Sequence, residues 1–146
     1  MKITEAMIEK VQKFGEVKII DEEQEDIIYV LDYKLDQHEF MKKANITTTV
    51  PIIISVDDNG MAILRTYLFG EKIGNKEECV KIINELNSNF KFSKFYMDED
   101  EDICCDATIN LHTCNDEELQ SSLEELVFGF LKIMIIGFKK DDEGTV

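Results

Sequence analysis

The sequence predicts an α+β domain: an antiparallel sheet with helices packed on it, in the order helix–three strands–helix–two strands–helix. Three observations predict it. Apolar residues recur at helical spacing over 3–14, 75–90 and from 115 onward. Between them lie segments that alternate apolar and polar residues, as half-buried strands do. Those strands come in runs joined by short turns, which separates an α+β fold from alternating βαβ units. The 146 residues are read as a single domain, 1–146, long enough to bury a sizeable core.

Each element has its own signature. Ile3, Met7, Ile8, Val11 and Phe14 share one face of a first helix, and Gly15 is expected to stop it. The acidic stretch 21–26 reads as a solvated loop. Ile27, Tyr29, Leu31, Tyr33 and Leu35 then alternate with polar residues as a strand. Residues 36–48 are polar and carry no clear pattern. Pro51 stands at the start of the next strand, where a missing N–H is tolerated. Asp57-Asp58-Asn59-Gly60 predicts a type I′ hairpin turn, returned by a strand over 61–69.

Asn75 is a good N-cap, and Glu78 stands three residues later as in a capping box. Cys79, Ile82, Ile83, Leu86 and Phe90 line one face of the helix that follows. Two β segments, 92–97 and 103–111, flank an acidic tip over 98–102. Asn115 and Glu118 repeat the capping pattern and open the last helix. Its end, 133–138, is rich in β-branched residues, so both a helix end and a sixth strand fit.

The last helix has more apolar surface than one core-facing stripe uses. At 100° per residue, Leu119, Leu123, Leu126, Phe130 and Met134 fall on one side, expected to pack on the sheet. Phe128, Leu131, Ile135 and Phe138 fall on a second side, interrupted by Glu124 and bordered by Lys132. A helix apolar on two sides is buried on two sides, or it exposes a patch that soluble monomers avoid. The expectation is a homodimer with these four residues at the interface; cover by the N-terminal helix is the alternative. As a helix the run 126–138 spans only about 20 Å, short of a bilayer core of about 30 Å.

Composition narrows the function. The net charge is −15 and Arg65 is the only arginine, which disfavours nucleic acid and anionic membranes. A basic or apolar protein client is compatible with that charge. The N-terminus lacks a signal-peptide core, so a cytoplasmic protein is expected. The four cysteines read as reduced thiols, small buried hydrophobes plus one that is exposed.

No metal, cofactor or catalytic group is expected. Asp98, Asp100 and Asp102 begin like a calcium loop, but Ile103 and Ile109 stand where glycine and glutamate are needed. Cys104, Cys105, His112 and Cys114 lack zinc-ligand spacing. His38 and His112 mark no nucleophile, and the glycines form no phosphate loop.

The element order, the segment Ile83-Asn84-Glu85-Leu86-Asn87 through Phe92, and Lys94-Phe95-Tyr96-Met97-Asp98-Glu99-Asp100 resemble the YbjN family of bacterial sensory transduction regulators. The resemblance covers the chain in element order and 79–131 in residue detail. It implies a fold like that of type III secretion chaperones, which are small, acidic and dimeric. It brings no catalytic residues. The expected function is therefore a non-enzymatic, chaperone-like or regulatory protein-binding module of a bacterial cytosol. The alternative is an acidic immunity or inhibitor protein that neutralises a basic toxin or nuclease.

Overall fold

The structure, a computed structural model, describes residues 3–21, 27–35 and 49–137. The elements are α1 (Ile3–Gln12), β1 (Gly15–Asp21), β2 (Ile27–Lys34), β3 (Thr49–Val56), β4 (Met61–Leu68), a 3₁₀ turn (Gly70–Lys72), α2 (Lys76–Asn89), β5 (Ser93–Met97), β6 (Ile103–Asn110) and α3 (Asp116–Gly137). The strands form one six-stranded antiparallel sheet in the order β1-β2-β3-β4-β6-β5. The expected α+β class holds, with β1 added. That strand is seven residues on a sheet edge, and its Ile19 is exposed where a buried residue would be expected. Residues 133–137 belong to α3, not to a strand. Residues 22–26 and 36–48, with His38, and Phe138 lie outside the described residues.

The chain divides into two compact units. The first is Met1–Leu64 with Thr108–Gln120. Here β1, β2 and β3 pair antiparallel, with Val17 opposite Leu31 and Leu31 opposite Ile52. The pleat sends Tyr29, Leu31, Tyr33, Val50, Ile52, Ile54 and Val56 to one buried face. From α1, Ile8, Val11 and Phe14 join that core, and the Phe14 ring stacks on Tyr33 at 6.1 Å. Lys10 Nζ donates to the carbonyls of Leu111 (2.7 Å) and Cys114 (3.2 Å).

The β3–β4 turn differs from the expected type I′. That type needs positive φ at both Asn59 and Gly60, and only Gly60 has it, at 86°. The Gly60 N–H donates to the Asp57 carbonyl, and the Asp57 N–H donates to that of Met61. This is a type I turn closed by a left-handed glycine. Asp57 Oδ1 favours it by accepting from the N–H groups of Asn59 and Met61.

The second unit is Arg65–Ala107 with Ser121–Val146. Its core joins Cys79, Ile82, Ile83 and Leu86 of α2 to Phe95, Ile103, Cys105 and Ala107 of the sheet and Leu123, Leu126 and Ile133 of α3. The β5–β6 turn repeats the β3–β4 one bond for bond. Asp98 accepts from Asp100 and Asp102 through Oδ1, and Glu101 takes the glycine position with φ 65°. Strand β5 is the other sheet edge. Asn87 covers it, donating to the Phe95 carbonyl (2.9 Å) and accepting from the Phe95 N–H (2.8 Å).

Candidate functional site

Helix α3 starts where the capping residues place it. The Glu118 N–H donates to Asn115 Oδ1 at 2.7 Å, and the Asn115 N–H donates to Glu118 Oε1 at 3.4 Å. Asp116, Glu117 and Glu118 fill the first turn, where carboxylates suit the helix dipole. At α2 only one half of the box forms: Asn75 accepts from the Glu78 N–H, while the Glu78 carboxylate meets Lys81.

The buried stripe of α3 is Leu119, Leu123, Leu126, Val127 and Ile133. It departs from expectation at its end. Ile133 continues the stripe, and Phe130 and Met134 are only half-buried. Two glycines set how closely the helix lies against its neighbours. A Cβ at Gly129 would fall 2.2 Å from the Phe95 ring, and one at Gly137 would fall 2.1 Å from Cys79 Sγ. The Gly74 N–H also donates to the Gly137 carbonyl. Glu125 accepts from the N–H groups of Lys91, Phe92 and Ser93. With one face held in this way, the opposite face is fixed outward.

That outward face carries the residues expected at an interface. Phe128 is 51% exposed and Ile135 is 76% exposed. Leu131 is half-buried, and Phe138 lies outside the described residues. Lys132 borders the face and reaches Glu85 of α2 at 3.5 Å. Two further exposed apolar residues escaped the sequence reading. Ile136 is 40% exposed, and Val80 of α2 is 43% exposed. Val80 follows Cys79, the residue against which Gly137 packs. Helical winding puts Ile136 about 80° from Phe128, which was enough to find it.

A second cluster lies on the sheet. Arg65 of β4 forks onto Asp106 of β6, with Nε–Oδ1 at 2.5 Å and Nη2–Oδ2 at 2.8 Å. The Tyr96 hydroxyl donates to the same carboxylate at 3.1 Å. Burial, then the Asp106 charge, pushes the Tyr96 phenol up to about 12. The hydrogen bond that Arg65 donates to Asp106 also holds the Arg65 charge more firmly. A bidentate pair with a third bonded partner is a stabilising cross-strand link. It leaves the only arginine committed to a carboxylate of its own chain. The sequence could not reveal this cluster, because the β4–β6 register is not local.

Several other polar groups among the described residues also bond within the chain. Oxygens of Asp98, Asp100 and Asp102 lie within 4.8 Å of one another. Asp98 caps its own hairpin, and Asp102 Oδ1 accepts from the Gly70 N–H at 2.6 Å. Lys76 pairs with Glu101. All four cysteines are buried, which corrects the expected exposed thiol. Burial is the main cause that pushes each thiol up, opposite to what a nucleophile needs. His112 is exposed, and its backbone N–H donates to Asn110 Oδ1 in the turn before α3.

Comparison with known proteins bears on this arrangement. No curated protein matches the chain. A crystal structure described as that of an uncharacterized protein from Methanothermobacter thermautotrophicus is similar in fold, with a TM-score of 0.58 at 14% identity. The match covers 92% of this chain and 95% of that one. Residues 22–126 match the model of the YbjN family, described as "Putative bacterial sensory transduction regulator". That span includes the Leu86-Asn87 clasp on β5, the acidic hairpin and the start of α3, and the chain belongs to the YbjN family.

Proposed function

We propose that this protein is a non-enzymatic regulatory module that works by binding protein through the outward face of α3. The observation that carries the reading is Ile135, 76% exposed on a helix whose opposite stripe is already buried. Exposed apolar surface costs solubility, and a patch of it commonly marks a protein contact. The family description as a sensory transduction regulator fits such a role. So do the Arg65–Asp106–Tyr96 cluster, which bonds within the chain, and the four buried thiols. The finer reading is chaperone-like: an apolar protein segment held on α3, surrounded by acidic surface. The test is affinity capture from the native cell with wild type and Phe128→Asp, followed by mass spectrometry. Wild type is expected to retain proteins that the folded variant loses. Identical profiles would refute the reading.

The second reading, an acidic inhibitor of a basic toxin or nuclease, rests on the net charge of −15. It predicts association whose rate falls steeply with salt and is indifferent to Phe128→Asp.

A further inference from the structure

We propose that the open face of the sheet in the first unit, opposite the face that α1 covers, docks an amphipathic basic helix of another protein. The face is built by alternation. Tyr29, Leu31, Ile52, Ile54, Ala62 and Leu64 point to the core, so Ile28, Val30, Ile53, Ser55, Met61 and Ile63 point the other way. Val30 stands opposite Ile53, and Ile28 stands opposite Ser55. Met61 is 41% exposed and Ile63 is 40% exposed, and the other four are half-buried. None of these residues is charged, on a chain whose net charge is −15. An apolar, charge-depleted patch of this kind has the composition of an interface core.

Charge chooses the partner and its direction. Ile27 at the start of β2 stands opposite Val56 at the end of β3, so the β1–β2 and β3–β4 connections lie at the same end of the sheet. Asp57 and Asp58 stand in the turn there, with Asp58 exposed. Asp57 bonds to its own turn through Oδ1, which leaves its charge in place. No lysine or arginine occurs between Lys18 and Lys34 or between Lys43 and Arg65, and the charges in those stretches are all acidic. At the opposite end Glu16 faces Asp32 across the strands, and Lys18 and Lys34 are next on the same strands, so charge balances there. The face therefore runs from a balanced end to an acidic one. A docked helix sets its cations at the turn end, where an acidic or neutral helix gains nothing.

Shape chooses the helix. Three neighbouring strands about 4.8 Å apart put the outer two about 10 Å from each other, and a helix with its side chains is about 10–12 Å across. The buried face of the same strands already receives a helix, with Phe14 of α1 stacked on Tyr33 of β2. The exposed apolar area is on the order of 300 Å². A standard interface takes about 800 Å² from each partner, so the contact is weak and reversible, in the micromolar range. It shares no residue with the outward face of α3, and the two surfaces are tested separately.

The test is fluorescence anisotropy with a labelled synthetic peptide of about 18 residues, with leucines on one helical face and lysines on its flanks. The same peptide is titrated into isotope-labelled wild type and followed by amide NMR. Wild type should bind in low salt, with shifts confined to β2, β3 and the first half of β4. Ile63→Ser should weaken binding about tenfold, the worth of one covered aliphatic side chain. Asp58→Lys should slow association and flatten its salt dependence. No binding up to high micromolar peptide would overturn the proposal. So would equal binding of a scrambled peptide of the same composition, since charge alone would then suffice. Equal affinity for a version with glutamate in place of lysine would overturn the choice of a basic partner. Wild-type shifts that map to α3, or binding lost with Phe128→Asp and kept with Ile63→Ser, would overturn the sheet-face site and leave the α3 reading standing. Binding lost with Ile63→Ser and kept with Phe128→Asp upholds this face, whatever Phe128→Asp does to the proteins captured from the cell.

Discussion

Gly129→Ala tests how closely α3 lies against the sheet, and its sign is informative. At an open helical position this change should stabilise by about 1 kcal/mol, since alanine restricts the unfolded chain and favours the helix. Here the new methyl would meet Phe95 Cζ at 2.2 Å and Cε1 at 2.5 Å. Carbon atoms in ordinary contact sit about 3.5–4.0 Å apart. The ring cannot yield cheaply. Phe95 is 1% exposed, packs against Phe90, and has its backbone held from both sides by Asn87 and β6. Contacts this short put the overpacking at about 2–3 kcal/mol, the upper part of its usual range. Against the helix gain, the expected net loss is about 1–2 kcal/mol. Urea unfolding followed by circular dichroism, with a slope of about 1–3 kcal/mol per molar, should show the midpoint fall by roughly 1 M. Phe95→Leu removes the ring, so the cost of Gly129→Ala should shrink or reverse in the double variant. A midpoint that rises on Gly129→Ala alone would refute the close seating, and with it the orientation of the outward face.

Three further outcomes are expected. Glu101→Gly should raise stability by about 0.5 kcal/mol. It removes a left-handed penalty of about 1–2 kcal/mol and gives up backbone entropy and the exposed pair with Lys76. Gly60→Ala, at the matching position of the other hairpin, should lower stability by about 1–2 kcal/mol; urea midpoints check both. Asn87→Ala should cost about 1–2 kcal/mol by freeing the Phe95 N–H and carbonyl on the sheet edge. Hydrogen exchange at Phe95 should quicken in that variant. Tyr96 gives a pH dependence. Its phenol ionises near 10 when unfolded but at about 12 when folded, so its contribution is present below pH 10 and is lost as pH rises toward 12. The fall should flatten in Tyr96→Phe.

The helices and the half-buried strands were legible because their periodicity is local. Leu119, Leu123 and Leu126 declare one face of α3 within eight residues, and Phe128 and Ile135 declare the other. Ile133 lies only about 20° from Leu126 by winding; that it is buried and Met134 only half-buried depends on the elements facing the helix. Strand β1 was missed although Glu16, Val17, Lys18 and Ile19 alternate, because the run is short and gives way to adjacent Ile19-Ile20 and the acidic stretch. The hairpin type was missed because Asn-Gly also suits a type I turn with a left-handed closing glycine. The Arg65–Asp106–Tyr96 cluster joins residues 41 and 10 positions apart, through a strand order that skips from β4 to β6. Leu86-Asn87 was read as part of a resemblance, and its physical meaning emerged only with the edge strand beside it.

The outward face of α3 as a protein contact, with the homodimer expected from the sequence as its simplest form, is tested most directly by molar mass. Light scattering coupled to size-exclusion chromatography, run across the micromolar range in moderate salt, should show wild type moving from 16.9 kDa toward twice that value. Ile135→Glu should stay at the single-chain mass with its circular dichroism unchanged. A wild type that remains at 16.9 kDa up to high micromolar concentration would contradict the account, as would an Ile135→Glu variant that dimerises as well as wild type.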